Sequence, residues 1–133
     1  DCPDIDDLSK LRDAFTVTQE LMDERIILAG HDRSDGGLAT VLLEMAFAGN
    51  CSIDVTVPDD SNVGEIAVLF NEEAGLVIEV ASASVAKVTE AYTNAGIPCV
   101  EIGSTSVGDS VKISVGSGAP CVENKMTVLR DLW

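Results

Sequence analysis

The sequence predicts an α+β fold with mixed α/β character, in which a mixed β-sheet is flanked by helices. Apolar residues recur at helical spacing early in the chain, at Leu8, Leu11 and Phe15. Apolar and polar residues alternate over Ser52–Val57, which is typical of a half-buried strand. Predicted helices and strands alternate at first and a hairpin signal follows near the end. This order favours one mixed sheet covered by helices.

The first half of the chain contains three predicted helices and two predicted strands. Aspartates that suit the positive end of a helix precede an apolar face, and together they predict a helix over Asp6–Arg25. The apolar run Ile26–Ala29 predicts a buried strand, and helical spacing resumes over Gly36–Ala48. Pro58 ends the strand that begins at Ser52. One apolar side predicts a short helix over Asn62–Phe70.

The second half contains the remaining strands and two more helices. In order, they are a Val/Ile-rich strand at Gly75–Ala81, a helix capped by Ser82–Ser84 and ended by Gly96, strands at Val100–Val107 and Val111–Val115, a short strand at Val122, and a helix from about Thr127. The dipeptide Gly108-Asp109 predicts that the two strands around it form a hairpin. The core candidates are Met45, Phe47, Leu69 and Phe70.

These elements are expected to close one core, so residues 1–133 are predicted to form a single domain. The sequence contains no internal repeat, low-complexity tract or interdomain linker. It starts at Asp1 without an initiator Met and stops at Trp133 inside a predicted helix. We therefore expect a domain excised from a longer polypeptide.

The strongly negative net charge argues against binding to nucleic acids and to anionic membranes. Asp and Glu outnumber Lys and Arg by 23 to 8, and the formal net charge is −15. A nucleic-acid surface needs clustered basic residues, and an anionic membrane surface would repel this chain, so neither is an expected partner. No apolar run approaches the ~20 residues of a spanning helix and no signal peptide opens the chain, which favours a cytoplasmic protein.

The four cysteines point to no metal or disulfide site. Cys2, Cys51, Cys99 and Cys121 are widely and irregularly spaced, and the single histidine lies far from all of them. Cys51 and Cys99 each lie next to a predicted strand. They are interpreted as reduced, buried, small apolar residues.

The heptapeptide His31-Asp32-Arg33-Ser34-Asp35-Gly36-Gly37 is the main candidate site, because it forms the turn from a predicted strand into a predicted helix. A helix N-terminus presents unpaired N–H groups that suit phosphate oxygens, and nearby carboxylates can hold the magnesium that accompanies a nucleotide. The alternative is a purely structural turn. Ser and Asp are favoured N-cap residues and Gly permits a tight entry into a helix.

Three segments of the chain resemble the phosphoribosylformylglycinamidine synthase family (formylglycinamide ribonucleotide amidotransferase). The first block is the heptapeptide continued by Leu38 and then by Leu43–Gly49, the second is Leu69–Glu73 with Gly75–Val80, and the third is Leu129–Trp133. The resemblance implies the C-terminal α/β domain of the aminoimidazole ribonucleotide synthetase superfamily, with a partly ferredoxin-like topology. It places this chain as the second domain of the second half of a large enzyme.

The resemblance also implies a role for two residues. Asp32 matches a magnesium ligand and Ser34 matches a nucleotide contact, so the implied cofactors are Mg²⁺ and ATP or ADP. A carboxylate is a hard oxygen ligand for magnesium, and a hydroxyl can donate to a phosphate oxygen. No residue of this chain is assigned a catalytic role.

The other polar residues have less definite interpretations. Asp35 is predicted to cap the helix that starts at Gly36. His31 is interpreted as a hydrogen-bonded structural residue, with acid–base chemistry as the alternative. Arg33 has two open roles, neutralising phosphate or pairing with an acidic neighbour. Glu72 and Glu73 are predicted to lie in a solvated loop or at an interdomain contact.

The family reaction, as the resemblance implies, is the ATP- and glutamine-dependent conversion of formylglycinamide ribonucleotide to formylglycinamidine ribonucleotide in purine synthesis. The implied partners are a preceding nucleotide-binding domain and a following glutaminase domain of the same polypeptide. Arg33 before Ser34 resembles the large single-chain form. The sequence leaves two alternatives. The first is another superfamily enzyme, such as aminoimidazole ribonucleotide synthetase, selenophosphate synthetase or thiamin monophosphate kinase. The second is a non-catalytic module that retains ADP.

Overall fold

The computed structural model describes residues 7–60 and 62–133. Helices and strands alternate through the described residues, which confirms the predicted α+β fold class. The helices are α1 (Leu8–Asp23), α2 (Gly37–Gly49), α3 (Glu65–Leu69), α4 (Val85–Asn94) and α5 (Met126–Leu132), and a 3₁₀ turn spans Ser82–Ser84. The strands are β1 (Ile27–Asp32), β2 (Ser52–Val57), β3 (Leu76–Val80), β4 (Gly103–Ser106), β5 (Val111–Val115) and β6 (Val122–Asn124).

The chain divides into two compact units. The first unit contains the described residues up to Asp32 together with Leu76–Glu101, and the second contains Arg33–Gly75 together with Ile102–Trp133. The boundary therefore falls inside the heptapeptide, between Asp32 and Arg33.

In the first unit, β1 and β3 pair antiparallel with Asp32 opposite Leu76. Its core is formed where α1 meets α4, through the buried residues Val17, Leu21, Val88 and Tyr92. Thr18 Oγ1 and the Tyr92 hydroxyl lie 2.7 Å apart and form a hydrogen bond at the edge of this core. Helix α1 lies within the predicted range, whose first residue, Asp6, is outside the described residues.

In the second unit, four strands form one sheet in the order β4-β2-β5-β6. Strand β2 is parallel to β5 and antiparallel to β4, so the sheet is mixed, as predicted. The alternation over Ser52–Val57 is confirmed, because Ile53, Val55 and Val57 are all buried. Strand β5 also contributes to the core, since Val111 and Ile113 are fully buried.

Two details of the predicted sheet are wrong. The described strands form two separate sheets rather than one, and β4 does not pair with β5 as a hairpin because β2 lies between them. The loop after β4 instead passes the start of β2, where Ser52 Oγ accepts the Ser110 N–H at 2.8 Å. A Cβ atom at Gly108 would lie 2.6 Å from Ser52 Oγ, so the glycine is needed for this close passage.

Helix α3 is shorter than predicted, and one core candidate is wrong. Phe70 is 57% exposed, whereas Leu69 is buried as predicted. The helix starts late because Gly64 has φ +91° and the Asp59 carboxylate accepts the Val63 and Gly64 N–H groups instead of letting them join a helical turn. The other candidates, Met45 and Phe47, are half-buried.

No disulfide bond joins the described cysteines to one another. Cys51, Cys99 and Cys121 are half-buried rather than fully buried, and Cys2 lies outside the described residues. Burial raises the pKa of the Cys99 thiol, which keeps it in the unreactive protonated form at neutral pH. Among the described residues, every helix is too short or too polar to cross a membrane.

Candidate functional site

The end of β1 carries the first residues of the heptapeptide. The strand runs through Asp32, three residues further than predicted, so His31 and Asp32 belong to it. His31 Nδ1 lies 2.7 Å from the Asp32 carbonyl oxygen, which agrees with a hydrogen-bonded structural role for the imidazole. The Asp32 side chain is 79% exposed, and its Oδ1 lies 3.7 Å from His31 Nδ1. This carboxylate is therefore accessible to a cation from solvent.

Arg33 begins the second unit and binds the loop that ends at Gly75. Its N–H donates to the Gly75 carbonyl at 2.8 Å, and its Nε donates to the Glu73 carbonyl at 2.5 Å. Nη2 lies 3.4 Å from the Ala74 carbonyl. The described contacts of the guanidinium are therefore with main-chain carbonyls rather than with an acidic side chain. They hold the second block against the first.

The two glycines of the turn allow the helix to begin close to another backbone segment. Gly36 and Gly37 have φ values of +80° and +65°, in the left-handed region that favours glycine. A Cβ atom at Gly37 would lie 2.7–2.8 Å from backbone atoms of Leu69, Phe70 and Asn71. No side chain fits in that space. The predicted close backbone approach is confirmed, and its partner is the second block.

The predicted cap of α2 is wrong. Gly36 rather than Asp35 is the N-cap, and Asp35 is an exposed residue one position outside it. The Gly36 N–H donates to Glu72 Oε1 at 2.9 Å. Glu72, a residue of the second block, therefore supplies an anion at this helix terminus.

Glu72 is held in place by the turn around it. Asn71 Oδ1 accepts the Glu73 N–H at 2.6 Å, and the Glu73 carbonyl accepts from Arg33. Glu72 and Glu73 are exposed loop residues, which agrees with the first of their two predicted roles, a solvated loop or an interdomain contact. Neither role included these contacts with the heptapeptide. The partners are 36 residues apart for Glu72 and 40 for Glu73, too far for local spacing to indicate.

Ser34 lies on the outer side of the same turn. Its side chain is exposed, and its carbonyl accepts the Gly37 N–H at 2.9 Å. The backbone of Ser34 is therefore fixed by the turn, while the residue itself is exposed to solvent. Such a hydroxyl beside a helix N-terminus can donate to an oxyanion.

The third block packs at the opposite end of α2. The rings of Phe47 and Trp133 meet edge to face with centroids 6.0 Å apart. Arg130 Nη1 donates to Asn50 Oδ1 at 3.2 Å, beside the last turn of α2. All three blocks thus contribute contacts to α2 or to the turn that precedes it.

The charges of the turn and its loop are predominantly negative. Asp35, Glu72 and Glu73 accompany Arg33 in the second unit, and Asp32 precedes them in the sequence. The described residues contain no group of three or more His, Cys, Asp or Glu side chains placed to bind a metal. In nucleotide sites, magnesium is commonly held by one or two carboxylates together with phosphate oxygens and water.

Comparison with known proteins decides the family. Residues 1–116 match the family described as AIR synthase related protein, C-terminal domain. The chain belongs to this family. The superfamily that the resemblance implied is thereby confirmed, and the match includes residues of both compact units.

Individual relatives of this AIR synthase-related domain carry a more specific name. The human phosphoribosylformylglycinamidine synthase is 50% identical over 98 residues, which are 74% of this chain and 7% of the human protein. A probable phosphoribosylformylglycinamidine synthase from Caenorhabditis elegans is 44% identical over 109 residues, 74% of this chain and 8% of that protein. The chain thus spans less than a tenth of these relatives, and the resemblance to the synthase is confirmed.

The AIR synthase-related fold is also found in a solved structure. Thermotoga maritima PurL complexed with ADP matches with a TM-score of 0.82 at 12% identity, covering 94% of this chain and 22% of that protein. At this identity the match establishes a shared fold.

Proposed function

We propose that this chain is a domain of a phosphoribosylformylglycinamidine synthase, the cytoplasmic ligase that converts formylglycinamide ribonucleotide to formylglycinamidine ribonucleotide with ATP and glutamine. The observation that supports this most strongly is the 50% identity to the human synthase over 98 residues. Parts of all three segments quoted for the resemblance also meet around α2 in the second unit.

Within that enzyme, the domain contributes magnesium–nucleotide contacts at the turn before α2. Asp32 is the proposed magnesium ligand and Ser34 the proposed nucleotide contact. The exposed Asp32 carboxylate and the exposed Ser34 hydroxyl support these roles, and so does the fold shared with a PurL that was solved with ADP. Bound magnesium would screen phosphate charge. Arg33, Glu72 and the two glycines would stabilise the conformation of the turn.

The proposed partners are other domains of the same polypeptide, namely a preceding nucleotide-binding domain and a following glutaminase domain. The coverage of the human synthase supports this, because 93% of that protein lies outside the match. The 133 residues are proposed to be one domain. The family match across both units supports that proposal.

The test compares the full-length polypeptide that carries this sequence with the 133-residue chain alone. With formylglycinamide ribonucleotide, ATP and glutamine, the full-length polypeptide should form formylglycinamidine ribonucleotide, measured by liquid chromatography. The 133-residue chain should form none, even with ammonia in place of glutamine, because it is proposed to hold only part of the nucleotide site. Product from the short chain would contradict the proposed division of the site, and no product from the full-length polypeptide would contradict the synthase assignment.

A further inference from the structure

Helix α1 carries a row of exposed apolar side chains in addition to the apolar residues that it buries. Val17 and Leu21 are buried where α1 meets α4, so they occupy one side of the helix. The exposed residues follow one another at intervals of 3, 4 and 7 residues, which keeps them on one side of a helix with 3.6 residues per turn. They are Leu8, Leu11, Phe15 and Met22, and are called the α1 stripe below.

The α1 stripe lies on a different side of the helix from the buried residues. Phe15 and Val17 are two residues apart, which places their side chains about 200° apart around the helix axis. Phe15 is 63% exposed and Met22 is 52% exposed. Single exposed apolar residues are ordinary on a protein surface, but a continuous row of them marks an interaction surface.

The polar residues beside the stripe do not interrupt it with an unpaired charge. Gln19 continues the row between Phe15 and Met22, and its uncharged amide donates to Met22 Sδ at 3.9 Å. Arg12 borders the row, and its guanidinium lies 2.8 Å from the Asp13 carboxylate. The chemistry of the stripe therefore suits an apolar surface rather than a charged ligand.

The size of the stripe favours a partner that is tethered to it. A stable interface between separate molecules takes about 20 to 30 residues a side, far more than four side chains on one helix. A domain of the same polypeptide needs a smaller interface, because the covalent connection raises its effective concentration. The match covers only 7% of the human synthase, so a polypeptide of that kind contains other domains that could dock.

Charge argues against the two other occupants. The formal net charge of the chain is −15, so two copies that met through their α1 stripes would repel one another. An anionic membrane surface would repel the chain in the same way.

We infer that the α1 stripe is the docking surface for another domain of the same polypeptide, which presents an apolar patch to it. The inference rests on the proposed function, in which the chain is one domain of a synthase. Docking would remove Leu11 and Phe15 from water and so stabilise the contact between the domains. Helix α1 would then be buried on both of its apolar sides.

The first experiment oxidises the methionines of the full-length polypeptide that carries this sequence with hydrogen peroxide, and follows each site by mass spectrometry. Met126 is the internal reference, because it is only 1% exposed. If another domain covers the stripe, Met22 should be oxidised about as slowly as Met126, although it is half exposed in the structure. Rapid oxidation of Met22 relative to Met126 would overturn the inference. Protection of Met22 that disappears on dilution would also overturn it, since the occupant would then be a second copy.

The second experiment identifies the occupant by photo-cross-linking in the same full-length polypeptide. The photo-reactive analogue benzoylphenylalanine takes the place of Phe15 in one variant and of Glu20 in the control. Glu20 is also exposed on α1, but it lies about 140° around the helix from Phe15. We expect position 15 to cross-link to a peptide outside residues 1–133 of this sequence, in a product with the mass of a single polypeptide. Position 20 should give much less of that product.

Equal yields at the two positions would overturn the inference, and so would cross-links confined to residues 1–133 or to a second polypeptide. The oxidation experiment uses the wild-type sequence, so it gives a result even if the photo-reactive variants fold poorly. These outcomes differ from failure of the proposed function. The synthase assignment fails if the full-length polypeptide forms no formylglycinamidine ribonucleotide, whereas oxidation and cross-linking report docking with or without turnover.

Discussion

At the scale of single residues, the turn before α2 depends on two glycines and two long-range side chains. The glycines were predictable, because a Gly-Gly pair at a strand-to-helix turn indicates close backbone approach. The contacts of Arg33 and Glu72 were not, since their partners are about 40 residues away along the chain. Local sequence spacing therefore predicts that Asp35 caps α2, because Asp is a favourable N-cap residue type. In the structure, the carboxylate at this helix terminus is that of Glu72.

Gly37→Ala should destabilise the chain strongly. The new Cβ atom would meet backbone atoms of the second block at 2.7–2.8 Å, and the φ of +65° is unfavourable for alanine. Together these effects should lower the free energy of unfolding by about 2 to 4 kcal/mol. Urea denaturation followed by circular dichroism measures the change.

Gly96→Ala is the matched control for that prediction. Gly96 has a similar φ of +73°, but a Cβ atom there would meet nothing within 4 Å. In this variant the free energy of unfolding should fall only by the cost of placing alanine in the left-handed conformation, about 1 kcal/mol. Equal losses in the two variants would show that the close approach of the second block to Gly37 contributes nothing.

At the scale of elements, strand and helix positions were predicted better than their pairing. Strand β2 was predicted over its observed range because its alternation is local, whereas the β4–β5 hairpin was wrong because β2 inserts between them. Sheet order depends on contacts between segments that are distant in sequence, and a Gly-Asp turn signal carries no information about an intervening strand.

Helix α5 has a cap that should make stability depend on pH. The Asp109 carboxylate accepts the Thr127 N–H and hydroxyl, both at 2.8 Å. These hydrogen bonds lower the pKa of Asp109 in the folded state. The cap therefore stabilises the fold fully above the unfolded-state pKa of about 4, and this contribution is lost as the pH falls through the lower folded-state value.

Asp109→Asn tests that cap. The variant should be less stable than the wild type at pH 7, and the difference should shrink below about pH 4. Denaturant unfolding at pH 7 and at pH 3 measures it. Thr127→Val keeps the N–H but removes the hydroxyl, so it should show a smaller loss at pH 7. A wild-type advantage that is the same at both pH values would contradict the assignment.

At the scale of the whole molecule, the open question is whether the two compact units unfold together. The family match includes residues of both units, and the chain crosses between them three times, at Asp32–Arg33, Gly75–Leu76 and Glu101–Ile102. We expect one cooperative thermal transition, with the calorimetric and van't Hoff enthalpies in agreement. Two resolved transitions would show that the units are independent and that the single-domain prediction is wrong.

The central claim is that the heptapeptide turn holds a magnesium-bound nucleotide. The decisive measurement is the number of nucleotides bound per chain in the full-length polypeptide after purification, compared between the wild type and Asp32→Asn. Asp35→Asn is the control, because it makes the same charge change at an exposed residue of the same turn. Asp32→Asn should lose bound nucleotide while Asp35→Asn keeps it.

The melting temperature should follow nucleotide occupancy, since a ligand whose free concentration is 100 times its dissociation constant stabilises the native state by about 2.7 kcal/mol. The melting temperature of Asp32→Asn should therefore fall, and that of Asp35→Asn should stay close to the wild type. If the site only retains ADP, turnover per folded molecule should decline less than stability does. Full nucleotide occupancy and an unchanged melting temperature in Asp32→Asn would contradict the account and leave Asp32 as a turn residue.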